Sequence, residues 1–250
     1  MRIVATIEAR MSSKRLPEKV LKKLDGMPSL ELQIRRMRRS CLIDDIVLAT
    51  TKKDTDDILA GFAKDLGIHV FRGSEEDVLS RILGAAQSVE GDLQVQTTGD
   101  CPLIDPTIID EIIQAFLDYR HQFDFISNEI ELTYPNGLDC RVFPVSVLAE
   151  IDKLCDDPIH RVHGTTFIYN GSGENAYRIK NIPAPFKLNH PEWRWCLDTR
   201  EDLKFLNTVC RHFGNRKTEF SALELASWLE SNPDLIAINS HVQKKELQEG

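Results

Sequence analysis

Apolar positions along the chain switch repeatedly between two periods. Ile3-Val4-Ala5-Thr6-Ile7 is a short, nearly unbroken apolar run, the mark of a strand buried on both faces. Over residues 28–39 the period lengthens, with Leu30, Ile34 and Met37 at helical spacing, and 45–50 returns to a β-rich run. The exchange then repeats. Ile58, Leu59, Phe62 and Leu66 define one face of a helix over 54–66 that stops at Gly67, and 68–71 reads as the next strand. Ser74, followed by Glu75, Glu76 and Asp77, predicts an N-cap and acidic first turn for a helix running to about Ser88, and 93–97 predicts another strand. Such alternation predicts a mainly parallel sheet covered by helices, whose ligands sit beyond the carboxyl ends of the strands. The loops 8–19, 51–55, 72–75 and 98–105 are therefore the ones to watch.

Beyond Ser127 the regularity falters. Thr133 to Gly137 form a turn cluster, 138–143 predicts a strand and 146–154 a helix. Leu203, Leu206 and Val209 give 200–213 a helical face, and 221–230 opens with Ser-x-x-Glu, a capping box. The irregular stretch 127–141 is a candidate β-arm for pairing across a two-fold axis in a homodimer. The last ten or so residues, rich in Lys, Gln and Glu, are expected to fray. No repeat or low-complexity linker divides the chain, so residues 1–250 are expected to form a single domain.

Composition narrows the function. A chain of 250 residues with 42% hydrophobic content can bury a substantial core, and its formal charge of −8 argues against a general affinity for nucleic acid or an anionic membrane. Without a leader pattern or a long apolar span, the expected location is cytoplasmic. Six cysteines scattered without any CxxC predict free thiols.

Against that acidic background, EARMSSKRLPEK (residues 8–19) gathers Arg10, Lys14, Arg15 and Lys19 at the end of the first strand. It is either solvated surface charge or a phosphate site. Neither G-x-x-x-x-G-K-[ST] nor G-x-G-x-x-G is present, so side-chain cations would have to do what glycine-rich backbone does elsewhere. Thr97 to Asp105 places Asp100 after a buried strand, where it is either a ligand-edge carboxylate or a turn aspartate bonded to its own backbone. In Trp195 to Leu203, Asp202 suits a helix cap, whereas Asp198 is also a candidate Mg²⁺ ligand.

RMSSKRLPEKVL, FRGSEEDVLSR, TGDCPLIDPTIID, Ser127-Asn128, TYPNGLD and LDTREDL occur in one order along residues 2–213. In that order they resemble the spore-coat polysaccharide and acylneuraminate cytidylyltransferases. The resemblance implies an α/β, Rossmann-like nucleotidyltransferase (nucleotide-diphospho-sugar transferase) fold with helices on both faces of the sheet, followed by a C-terminal helical extension over 214–250. It also implies Mg²⁺-dependent transfer of CMP from CTP to an anionic acceptor in activated-sugar or surface polysaccharide synthesis. Ala9, Arg10, Ser13, Arg15, Lys19, Thr50, Thr98 and Gly99 would then bind nucleotide, and Asp100 and Asp198 would hold the metal. Arg10, Lys19 and Asp100 would be catalytic, and Gln96, Asn128, Asp139, Arg141, His160 and Arg161 would face the acceptor. A glycosyltransferase and a catalytically impaired nucleotide-binding subunit are the alternative readings.

Four positions depart from the family pattern. Ser12 and Glu18 stand where glycines are usual, which predicts strain wherever the backbone needs positive φ. Gln96 replaces an arginine. Arg141 replaces an acid, either as a surface arginine or as a partner for a negatively charged acceptor.

Overall fold

The computed structural model describes residues 1–170 and 177–243. The expected fraying of the tail lies mostly outside them, beyond residue 243. In chain order the strands are β1 (Ile3–Glu8), β2 (Lys23–Leu24), β3 (Met27–Pro28), β4 (Asp45–Thr51), β5 (His69–Gly73), β6 (Leu93–Thr98), β7 (Phe125–Ser127), β8 (Arg141–Pro144) and β9 (Ile179–Asn181). The helices are α1 (Ser29–Met37), α2 (Asp57–Asp65), α3 (Val78–Gln87), α4 (Pro106–Tyr119), α5 (Val145–Leu154), α6 (Pro158–Val162), α7 (Thr166–Asn170), α8 (Arg200–Phe213), α9 (Ala222–Glu230) and α10 (Pro233–Ile236).

Among the described residues the central sheet has seven strands in the order β5-β4-β1-β6-β8-β7-β9, while β2 and β3 form a separate hairpin. β1 lies parallel between β4 and β6, with Glu8 opposite both Ala49 and Thr98. β1 and β6 end level and β4 runs two residues further, so the loops that follow them emerge side by side. β4 and β5 end with Thr51 opposite Gly73, which adds the loop at 74–77 to the same edge. The expected mainly parallel sheet is thus borne out in the first half. In the second half β8 runs antiparallel to both β6 and β7, where the regular alternation of the sequence breaks down.

Side-chain alternation along β1 divides the core. Ile3, Ala5 and Ile7 join α1, α4, α8 and α9 on one face, while Val4 joins α3 and α5 on the other, so helices cover both faces as expected. Among the described residues no helix is long and apolar enough to cross a membrane. Cys41 is exposed and the other five cysteines are buried, all as free thiols.

Several local expectations need correction. Asp77, not Ser74, caps α3 by accepting from Ser80 N at 3.0 Å, while the Ser74 hydroxyl closes a turn just before it by accepting from Glu76 and Asp77 N. Ile58 is 57% exposed, so the buried face of α2 is Leu59, Ala60 and Ala63. α4 was not anticipated, although Asp105 caps it, Pro106 opens it and Ile108, Ile109, Ile112, Ile113 and Phe116 are buried along one side. The stretch 127–141 does not project as an arm. Asn136 bonds back to the chain through N–H to Trp193 O (2.9 Å) and through its carbonyl from Trp195 N (2.7 Å), and Tyr134, Leu138 and Cys140 are buried.

Arg36 on α1 joins the sheet layer to the C-terminal segment. Its fully buried guanidinium donates to Ile104 O (2.8 Å), Lys217 O (3.2 Å) and Phe220 O (3.0 Å) and lies 4.4 Å above the Phe220 ring. Burial pulls its pKa down to about 10, so the guanidinium remains charged at neutral pH. Arg36→Met would keep the apolar stem and strand three carbonyls, a loss of about 3 kcal/mol. Urea unfolding should show that loss as a lower midpoint, and an unchanged midpoint would contradict it.

Candidate active site

The loop after β1 is pinned before it reaches any ligand. Met11 N donates to Asp56 Oδ1 at 2.8 Å, and buried Asp56 is itself bonded by the Thr51 hydroxyl, which ties the loop to the end of β4. Glu75, from the loop after β5, accepts from Ser12 Oγ (2.8 Å), pairs with Arg10 (3.2 Å) and also holds Lys53. Those contacts keep the Glu75 carboxyl below its ordinary pKa, the Lys53 and Ser12 bonds contributing most. Leu16 and Val20 anchor the far side of the loop in the core.

The two missing glycines behave differently. Glu18 adopts the left-handed conformation (φ 57°, ψ 28°), as expected for a position where glycine is usual. Ser12 does not, and its side chain instead secures the contact with Glu75.

Two carboxylates from distant parts of the chain meet beside this loop. Gly99 allows the approach of β6 to β1: a Cβ there would lie 2.8 Å from Ala9 Cβ and 2.9 Å from Glu8 O. The next residue, Asp100, accepts Leu197 N–H on its carbonyl at 2.8 Å, which joins the TGD loop to the segment bearing Asp198. Lys19 Nζ lies between the side chains, 2.8 Å from Asp100 Oδ2 and 2.7 Å from Asp198 Oδ1. The other Asp198 oxygen takes Arg15 at 2.9 Å and Arg194 at 2.7 Å, and Thr98 Oγ1 donates to Asp100 Oδ1 at 2.6 Å.

Burial by itself would raise the Asp100 pKa, but the charge and hydrogen bond of Lys19 outweigh it and hold the carboxyl well below the usual range. Burial would lower the Lys19 pKa, and the two carboxylates instead hold it above the ordinary lysine value. Among the described residues no cluster of three or more His, Cys, Asp or Glu is arranged to bind a metal. Two carboxylates facing one cation nonetheless suit Mg²⁺, whose remaining positions are commonly filled by water and phosphate oxygens.

Two cavities meet at these carboxylates. The larger, about 560 Å³, is lined by Ala9, Arg10, Ser13, Arg15, Lys19, Thr98, Gly99 and Asp100, by His163, and by Glu75 and Arg81, which sequence reasoning did not select. The smaller, about 220 Å³, shares Arg15, Thr98, Asp100 and Asp198 with it and extends to Gln96, Asp139 and Arg141. Gln96 is held in place, its Nε2 donating to half-buried Glu8 and its Oε1 accepting from Thr165 at 2.8 Å. Burial pushes the Glu8 carboxyl up, against the nearby charge of Arg141. Arg141 pairs with Glu129, also absent from the sequence reading, so its charge is already matched within the protein.

Four expected residues line neither cavity. Thr50 is buried on β4. The Asn128 amide is spent on backbone, donating to Leu138 O (2.9 Å) and accepting from Cys140 N (2.8 Å). His160 bonds Thr166 at 3.0 Å and packs edge-on against Phe167. Arg161 pairs with Asp77 (2.7 Å) and Asp152 (2.6 Å) and donates to the carbonyls of Asp152 and Cys155, so it braces α6 against α3 and α5.

Glu18→Gly would release the left-handed strain without disturbing the site and should stabilise the protein by roughly 0.5–1 kcal/mol. Destabilisation in urea would count against that account of the loop.

The family profile described as Cytidylyltransferase matches residues 4–140. The spore coat polysaccharide biosynthesis protein SpsF of Bacillus subtilis is 34% identical over 237 residues, covering 93% of this chain and 95% of that protein. A 3-deoxy-manno-octulosonate cytidylyltransferase of Chlorobium phaeovibrioides is 36% identical over 192 residues, covering 76% of this chain and 68% of that enzyme. The solved structure of a cytidylyltransferase from Leptospira borgpetersenii superposes with a TM-score of 0.88 at 30% identity, covering 98% of this chain and 99% of that one.

Proposed function

From the premise that this chain belongs to the cytidylyltransferase family, we propose that it transfers CMP from CTP to a small anionic acceptor and releases pyrophosphate in a Mg²⁺-dependent reaction. The observation that carries this reading is the meeting of Asp100 and Asp198 on one ammonium at the boundary between the two cavities. The larger cavity, rimmed by the basic loop, takes the nucleotide. The smaller one takes the acceptor.

An acceptor oxygen attacks the α-phosphorus in line, and pyrophosphate leaves on the opposite side. The protein contributes mainly positioning and neutralisation of growing charge. Asp100 and Asp198 would hold Mg²⁺, which when bound supplies charge neutralisation at the reacting phosphate. Arg10, Ser13, Arg15 and Lys19 grip the triphosphate and stabilise the departing pyrophosphate, arginine being suited to the planar fork of phosphate oxygens. Arg15 and Arg141 are the two guanidinium groups lining the smaller cavity, each paired with a carboxylate, Asp198 and Glu129, so an anionic acceptor would bind there by taking over one of those pairs. A sugar acid, sugar phosphate or phosphonate meets that description, and the octulosonate named for one relative is a sugar acid.

Pyrophosphate release should be followed with each of the four nucleoside triphosphates against a panel of these acceptors. Release from CTP and its abolition by EDTA are expected. Silence with every triphosphate, with acceptor and Mg²⁺ present, would sink the proposal. Asp100→Ala and Asp198→Ala should each lower the rate by about a thousandfold or more with the circular dichroism spectrum unchanged, since each forfeits several kcal/mol of charge stabilisation. Near-normal rates in either would reassign the metal site.

A further inference from the structure

Asp198 is positioned by a buried chain of polar groups that ends in the C-terminal segment. Arg194, 6% exposed, donates to Asp198 Oδ2 through one terminal nitrogen (2.7 Å), and the same nitrogen reaches Asp202 Oδ2 at 3.1 Å. Its Nε donates to Asp202 Oδ1 at 2.8 Å. Asp202 is fully buried, and its second oxygen also accepts the backbone N–H groups of Asp198 and Thr199, each at 2.9 Å. The carboxylate therefore fixes both the backbone and, through Arg194, the side chain of Asp198.

Asn239, just after α10, closes the chain. Its amide is 2% exposed and donates to Asp202 Oδ1 at 3.0 Å and to Arg194 O at 2.9 Å. Both acceptors belong to the pair that orients Asp198. A surface tail held only by packing would not need an amide buried to this degree and aimed at a charged pair, because an amide in the interior costs free energy unless both its environment and its partners are supplied.

We propose that Asn239 is a positioning residue, acting through Asp202 and Arg194 to hold the Asp198 carboxylate in the orientation that accepts a divalent cation. The C-terminal segment is thereby a working part of the active site rather than an appendage to it. Groups of this kind behind a metal ligand typically change metal affinity by about 10–100-fold when removed. The inference rests on the metal-dependent reading given above, and its test separates the two.

CTP binding is measured by calorimetry without acceptor, once in EDTA and once with Mn²⁺, so that the metal-dependent gain in affinity is read directly. Asn239→Ala should match wild type in EDTA within about twofold and lose about tenfold of the gain. Leu235→Ala, which removes core packing from the same segment without touching the polar chain, should lower the melting temperature yet keep the full gain. A full gain in Asn239→Ala, or an equal loss in Leu235→Ala, would overturn the role assigned to Asn239. A wild-type protein whose CTP affinity ignores Mn²⁺ would overturn the metal reading itself, and the role of Asn239 with it.

Discussion

The rest of the site depends on the ammonium of Lys19 lying between Asp100 and Asp198. Two half-buried carboxylates brought together would repel each other by about 4 kcal/mol at 4 Å in a protein-like dielectric, and burial adds its own cost. Lys19, Arg15 and Arg194 offset that repulsion from three sides. The level ends of β1 and β6 and the Asp100–Leu197 hydrogen bond make the meeting possible, and the cations make it tolerable.

One consequence is that the basic loop is not a set of idle charges waiting for phosphate. Arg10 is engaged with Glu75, Arg15 with Asp198 and Lys19 with both aspartates. Binding a triphosphate under the proposed mechanism is therefore an exchange of ion pairs, with nucleotide oxygens replacing protein carboxylates. Such an exchange gains less free energy than neutralising bare cations, since each ion pair within the protein is given up as its phosphate counterpart forms.

The parallel half of the fold was legible because its strands are apolar runs and its helices carry a clear 3.6-residue period. The basic loop and the two aspartates could be picked out because they sit where such strands end. The rest depended on pairings between segments that each already had a sufficient local explanation. Glu75 reads as part of an acidic first turn and Asn239 as one polar residue shortly before a polar tail, yet each is defined by a partner far along the chain. The overreadings have a related cause. Asn128 and Arg161 carry the right functional groups, but backbone carbonyls and neighbouring acids claim them, and composition does not reveal that competition. Thr50 fails because β4 is buried on both faces almost to its end, Ala49 and Thr51 included, so its side chain stays within the packed layers.

β6 bonds in parallel to β1 on one side and antiparallel to β8 on the other. The two kinds of ladder keep separate register rules, so β8 and the segments beyond it can be lengthened, reset or exchanged while the alignment of β4, β1 and β6 is preserved. A single strand thus belongs to both halves of the sheet, tying the strand that begins at Arg141 to the one whose end leads into Asp100.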